Sequence, residues 1–61
     1  MIDITKLTET DVGHGVAYVP RTDQREYGAI TGWNDVFIFV KYLGYEQPQA
    51  TRPVDLEWLA P

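Results

Sequence analysis

The single histidine is the residue best suited to acid–base catalysis. His14 stands between Gly13 and Gly15 and three residues after Asp11, in a 61-residue chain without serine or cysteine. A general base needs an orienting carboxylate and a substrate pocket, and the missing residue types exclude a classical Ser or Cys nucleophile. One imidazole also makes a poor transition-metal site. We therefore expect His14 to be an exposed or capping loop residue, and the chain to be a non-enzyme without a cofactor.

The acidic residues offer a second kind of chemistry. Nine acidic residues against five basic ones give a formal net charge of −4. Four carboxylates could converge if the first and last strands of the domain pair: Glu9, Asp11, Asp55 and Glu57. No loop carries the alternating Asp/Asn spacing of calcium sites, so we expect no metal site. An acidic face that imitates nucleic acid and occupies a basic groove on a partner is the stronger hypothesis, and ordinary solvated charge is its alternative.

Aromatic residues add candidates for partner contact, because Trp and Tyr are over-represented among binding hot spots. The candidate contact residues are aromatic or acidic: Asp11, Trp33, Asp35, Phe37, Tyr45, Glu46 and Glu57. Most aromatic residues in a chain this small must form the core. We assign Trp58 and Tyr18 to the core, whereas Trp33 and Tyr45 are the better candidates for exposure.

The basic residues support an alternative function. Arg21, Arg25 and Lys41 would form a small phosphate-binding patch if the loop over residues 21–25 lies beside Lys41. Three or four such contacts give weak, salt-sensitive binding to nucleic acid. A polyanion must be met by a basic patch, so the net charge argues against nucleic acid as the default partner.

A β-hairpin near the middle of the chain must position many of these residues. Residues 27–33 and 36–42 are rich in β-branched and aromatic side chains. They flank Asn34 and Asp35, a pair suited to a tight hairpin turn. The pattern therefore predicts two antiparallel strands joined at this pair.

Two registers of the hairpin place different residues in the core. A two-residue turn puts Ile30 on the same face as Phe37 and Phe39. A three-residue loop puts Ile30 on a face with three other residues: Ile38, Val40 and Tyr42. We favour the second register, because it buries aliphatic residues and leaves Lys41 outside. In either register one apolar face of residues 36–40 must be covered by the terminal segments or offered to a partner, which allows a homodimer.

Shorter segments complete an all-β prediction. We expect strands over residues 16–19, 49–52 and 57–59, with one helical turn opening at Pro53. Short strands separated by Gly and Pro turns favour a small SH3-like barrel of about five strands, with the helical turn just before the last strand. The prediction treats residues 1–61 as one domain. No apolar run approaches the roughly 20 residues of a membrane span, and no signal peptide is evident, so we expect a cytoplasmic location.

Three segments carry a resemblance to a known group of proteins. They read DVGxGVxYxP over residues 11–20, GxITxxNDxxxFVxY over residues 28–42 and ATRPxDLEWL over residues 50–59. With these segments the chain resembles small, mostly uncharacterised proteins encoded by bacteriophages and prophages. Val54 stands where an acidic residue is common in that group. The resemblance implies a compact SH3-like barrel of phage or mobile-element origin, and it implies no reaction.

Together these observations predict a non-catalytic binding protein that acts through protein–protein interaction. The concrete hypothesis is an anti-defence inhibitor of the anti-CRISPR type, working in the host cytoplasm. Its partner would be a host protein or protein–nucleic-acid complex with a basic surface. A nucleic-acid-binding SH3-like module and a small virion or assembly protein are the alternatives.

Overall fold

The computed structural model describes residues 1–21 and 24–59 and confirms the predicted all-β class. Five strands follow one another along these described residues: β1 Gly15–Tyr18, β2 Glu26–Trp33, β3 Ile38–Tyr42, β4 Gln49–Thr51 and β5 Leu56–Trp58. The same residues contain three short 3-10 turns: Ile4–Lys6, Glu9–Asp11 and Pro53–Asp55. The last of these opens with Pro53 directly before β5, as predicted. No helix in the described residues is long and apolar enough to span a membrane.

The strands form one antiparallel sheet in the order β4-β3-β2-β1-β5. The first four strands follow one another as a meander, and β5 then returns to the free side of β1, where Trp58 lies opposite Val16. The first and last strands therefore pair, as expected for an SH3-like barrel. In the described part of the chain no ladder joins β4 to β5, so the architecture is a five-stranded sheet with two edges.

The connection between β2 and β3 is longer than either predicted turn. Trp33 pairs with Ile38, which leaves residues 34–37 in the loop. The side-chain oxygen of Asn34 accepts the backbone N–H groups of Val36 and Phe37, at 2.8 and 2.7 Å. Both N–H groups therefore donate within the turn instead of to a neighbouring strand, and β3 begins at Ile38 rather than at Val36.

A β-bulge then restores the favoured core face. The pairing shifts between Ile30 and Gly32, which leaves Thr31 as the extra residue of β2. Ile30 consequently lies opposite Val40, and both side chains are buried. The face assignment predicted for Ile30 is confirmed, although the three-residue loop that was expected to produce it is wrong.

The core contains buried side chains from four of the strands and from the N-terminal segment. Its members are Ile2, Val16, Ile30, Ile38, Val40, Tyr42 and Leu56. Ile2, which the sequence pattern did not single out, is 1% exposed, and its N–H donates to the carbonyl of Pro53. Tyr18 packs against this cluster as predicted, and Trp33, which was expected to be exposed, is partly buried against it as well. Trp58 does not: it is the last residue of an edge strand, is 44% exposed and packs edge-to-face against the His14 ring.

Close approach between β2 and β3 explains the glycine at position 28. A Cβ atom built on Gly28 would overlap the backbone carbonyl oxygen of Lys41 and lie 2.8 Å from the Cα of Tyr42. No side chain can rotate to relieve these contacts, because both atoms belong to the backbone. Any residue with a Cβ would therefore push the two strands apart.

Replacing Gly28 tests this close approach. We expect Gly28→Ala to lower the free energy of unfolding by about 3 kcal/mol, a large part of the stability of a domain this small. Gly32→Ala is the matched control, because a Cβ there meets nothing within 4 Å; its effect should stay below about 1 kcal/mol. Chemical denaturation of both variants measures the difference, and equal stabilities would contradict the explanation.

Candidate functional site

The seven predicted contact residues lie in four separate parts of the structure. Trp33, Asp35 and Phe37 lie at the tip of the β2–β3 hairpin. Two others, Tyr45 and Glu46, lie in the turn between β3 and β4, at the opposite end of the same ladder. Asp11 ends the 3-10 turn before β1, and Glu57 lies on β5. The structure therefore does not gather these residues into one continuous face.

Pairing of β1 with β5 does not gather the four carboxylates either. Asp11 accepts the backbone N–H of Thr8 at 2.9 Å, and its other oxygen is 3.7 Å from the Nδ1 atom of His14. Asp55 forms an ion pair with Arg52 at 2.9 Å. Within residues 1–21 and 24–59, no group of three or more His, Asp or Glu side chains could hold a metal ion. These two carboxylates stabilise local structure, and His14 is an exposed loop residue, as predicted.

A cleft of about 370 Å³ opens at the end of the sheet that carries Tyr45. Three tyrosines line it: Tyr18 ends β1, Tyr42 ends β3, and Tyr45 follows in the turn. The ring centroid of Tyr42 is 6.1 Å from that of Tyr18 and 5.9 Å from that of Tyr45, and both pairs are edge-to-face. Tyr42 is 4% exposed and Tyr45 is 41% exposed. We call this site the tyrosine cleft.

The backbone of the β3–β4 turn explains how Tyr45 reaches the cleft. Gly44 has a φ angle of 88°, a conformation that residues with a Cβ rarely adopt. The N–H of Tyr45 donates to the carbonyl of Tyr42 at 3.1 Å, and the ammonium group of Lys41 donates to the carbonyl of Tyr45 at 2.6 Å. These contacts hold the Tyr45 ring beside Tyr42.

Hydrogen bonds between side chains join the strands around the cleft. The hydroxyl groups of Tyr42 and Thr51 are 2.6 Å apart and buried, which links β3 to β4. The hydroxyl of Tyr45 donates to the carboxylate of Glu26 at 3.0 Å and so links the turn to β2. The Arg52–Asp55 ion pair also lines the cleft. Among the described residues, the cleft thus presents aromatic rings together with two carboxylates and one guanidinium group.

Both central phenols hold their protons more tightly than a free tyrosine does. Burial raises the pKa of Tyr42 above its ordinary value of 10.0, and the hydrogen bond with Thr51 only partly opposes this effect. The hydrogen bond to Glu26, followed by the charge of that carboxylate, raises the pKa of Tyr45. Both side chains are therefore neutral near pH 7, where they can offer ring faces and hydroxyl groups but no phenolate.

The basic residues of the alternative hypothesis lie towards the same end of the sheet. Arg21 and Arg25 are exposed in the connection between β1 and β2, whose residues 22 and 23 lie outside the described part. Lys41 is exposed on β3, and its ammonium group contacts the carbonyl of Tyr45. Because Tyr45 also contacts Glu26, the residue after Arg25, the structure places Lys41 and Arg25 near the same turn.

Sequence reasoning identified only part of this site. Tyr45 was a predicted contact residue, whereas Tyr18 was assigned to the core and Glu26 was not singled out. Glu26 and Tyr45 are nineteen residues apart, so no local spacing signals their contact. The nearest available signal is the placement of Tyr42 and Tyr45 on either side of Gly44, since a glycine turn can bring two such rings together.

Comparison with known proteins yields no relative. No family model, no curated protein and no solved structure matches this chain. The phage resemblance therefore stays a prediction, and the tyrosine cleft is the feature of the structure that indicates a function.

Removing the buried hydroxyl of Tyr42 tests its structural role. We expect Tyr42→Phe to lower the free energy of unfolding by about 1–2 kcal/mol, because Thr51 keeps only a 3.4 Å contact with the carbonyl of Gln49. Tyr27→Phe is the matched control at an exposed tyrosine, with an expected change below about 0.5 kcal/mol. Equal denaturation midpoints for the two variants would show that the buried bond contributes nothing.

The raised pKa of Tyr42 predicts a loss of stability at alkaline pH. A phenol with a higher pKa in the folded state contributes stability that is complete below pH 10.0 and is lost as the pH rises through the folded pKa. We therefore expect the free energy of unfolding to fall above about pH 10, and to fall less steeply in Tyr42→Phe. Denaturation at a series of pH values measures this slope, and parallel slopes for the two proteins would contradict the assignment to Tyr42.

Proposed function

We propose that this chain is a non-catalytic binding protein that occupies a basic surface on a protein partner. The observation that carries the proposal is the tyrosine cleft, an open site where neutral tyrosine rings adjoin the carboxylates of Glu26 and Asp55. Tyrosine combines a large apolar ring with a polar hydroxyl and is enriched at protein interfaces. Such a site is suited to recognition of a surface.

The distribution of charge supports a basic partner. The chain carries a net charge of −4, and Glu46 adds an exposed carboxylate next to Tyr45. Opposite charge on a partner accelerates association and fixes the orientation of the complex. An ordinary interface buries about 800 Å² on each side. That area is about a fifth of the 4511 Å² surface of the domain, so the contact extends beyond the cleft onto the surface around it.

The resemblance described above gives this proposal a concrete form. The protein is of phage or prophage origin, works in the host cytoplasm and inhibits a defence complex of the CRISPR effector type. The carboxylates at and beside the tyrosine cleft, from Glu26 and Glu46, cover basic residues that otherwise contact DNA or guide RNA. The inhibitor thus competes with a nucleic acid for the same groove.

Nucleic-acid binding is the second candidate, because Lys41 and Arg25 lie near the same turn. The carboxylates of Glu26 and Glu46 oppose it, since they repel phosphate groups beside those cations. The two functions therefore require different partners: a protein with a basic surface in the first case and a polyanion in the second.

Capture of partners from a bacterial lysate tests the proposed function. We expect the tagged protein to retain a protein in stoichiometric amount after nuclease treatment, with weaker retention as salt rises. Glu46→Lys, beside the cleft, should reduce capture at least tenfold. Glu9→Lys makes the same charge change at an exposed position away from the cleft and should leave capture intact.

Two results would contradict the proposal. Capture that disappears with the nucleic acid would favour the basic patch as the binding site. Capture that survives Glu46→Lys but fails in Asp35→Lys would move the contact to the opposite end of the β2–β3 hairpin. Far-ultraviolet circular dichroism of each variant verifies that it is folded.

A further inference from the structure

We propose that the tyrosine cleft binds an arginine side chain of the partner, with the guanidinium group against Tyr45 and with Glu26 as its counter-ion. The inference rests on the proposed binding function and names the group that the same site recognises. It follows from three features of the cleft: its rings, its carboxylates and its size.

The tyrosine rings favour a cation. The rings of Tyr18 and Tyr45 are inclined at 63° and 62° to that of Tyr42, so the three form a curved wall rather than a flat stack. A cation above a tyrosine face is attracted by the electron density of the ring. Tyr45 is the most exposed of the three, and it leaves part of its ring open to a ligand.

The carboxylates of Glu26 and Asp55 differ in how many further hydrogen bonds they can accept. Asp55 is already paired with Arg52, whose Nε and Nη2 atoms lie 3.0 and 2.9 Å from one oxygen of Asp55. Glu26 accepts the hydroxyl of Tyr45 through Oε1. A carboxylate has about four sites that accept hydrogen bonds, so Glu26 can still accept two from a bidentate donor. A positive ligand is therefore drawn to Glu26 rather than to Asp55.

Arginine matches this combination better than other ligands do. Its planar guanidinium group stacks on an aromatic ring and donates two parallel hydrogen bonds to one carboxylate, whereas a lysine ammonium is a strongly hydrated point charge. A phosphate would be repelled by Glu26, and a proline ring would leave the carboxylate unused. The volume of about 370 Å³ also lies within the range of small-ligand pockets.

Titration with short peptides tests the inference directly. The full-length, isotope-labelled chain is titrated with the capped peptide Gly-Gly-Arg-Gly-Gly, and with versions that carry citrulline or lysine in place of arginine. We expect shifts of backbone signals at Glu26, Tyr42 and Tyr45, with a Kd on the order of 1 mM for the arginine peptide. The citrulline peptide, which is neutral and similar in shape, should bind at least tenfold more weakly, and the lysine peptide should also be weaker.

Variants distinguish the contribution of the Glu26 carboxylate to arginine binding from that of the Tyr45 ring. Glu26→Gln should weaken arginine-peptide binding about tenfold, whereas the charge-matched Glu9→Gln should leave it unchanged. Tyr45→Ala should abolish binding. Tyr45→Phe should bind as well as the wild type or more tightly, because it keeps the ring and frees Glu26 from the tyrosine hydroxyl.

Several outcomes would overturn the inference. They are equal binding of citrulline and arginine, tighter binding of lysine, unchanged binding by Glu26→Gln, and signal shifts located outside the cleft. The result is independent of the capture experiment. If a lysate protein is captured but the arginine peptide does not bind, the binding function stands and the arginine inference fails. If the peptide binds but no protein is captured, the cleft recognises arginine but the proposed function fails.

Discussion

The register of β2 against β3 is the constraint on which the rest of the structure depends. A shift of one residue would exchange the two faces of β3 and turn Ile38, Val40 and Tyr42 away from the core. Two local features fix the register: the Asn34 side chain, which closes the turn, and the bulge at Thr31. The first sets where β3 begins, and the second brings Ile30 onto the same face. Tyr42 lies at the far end of this ladder, so the location of the tyrosine cleft follows from the same pairing.

The contacts that form the cleft also hold the sheet together. A chain of 61 residues without cysteine must obtain its stability from packing and hydrogen bonds. The Tyr42–Thr51 bond joins β3 to β4, and the Tyr45–Glu26 bond joins the following turn to β2. The second bond lies at the exposed rim, where Glu26 can accept further hydrogen bonds from a ligand. The first bond is buried and belongs to the framework that holds the strands together.

Much of the fold could be predicted from the sequence, because its signals are local. Runs rich in β-branched and aromatic residues marked the two strands of the hairpin, and Pro53 marked the turn before β5. The details that were not predicted depend on side-chain contacts that the spacing of residue types along the sequence does not indicate. The side-chain oxygen of Asn34 accepts hydrogen bonds from the backbone N–H groups of Val36 and Phe37, two residues that the hairpin pattern assigned to a strand. Trp58 was placed in the core on residue type alone, although its position at the end of an edge strand leaves it half exposed. The cleft was missed for a similar reason, since Glu26 and Tyr45 meet only after the sheet has formed.

The position of Ile2 has a consequence for how the chain folds. Its backbone meets Pro53, and its side chain completes a core that otherwise comes from the strands. The central hairpin can form early, because its two strands are adjacent along the chain. Completion of the core requires closure of a loop that includes nearly every residue, and the entropy of that closure is lost before the final contacts form. Small all-β domains dominated by such distant contacts fold in milliseconds to seconds, far more slowly than helical domains of the same length. We therefore expect the transition state for folding to contain the hairpin and the N-terminal segment to join it late.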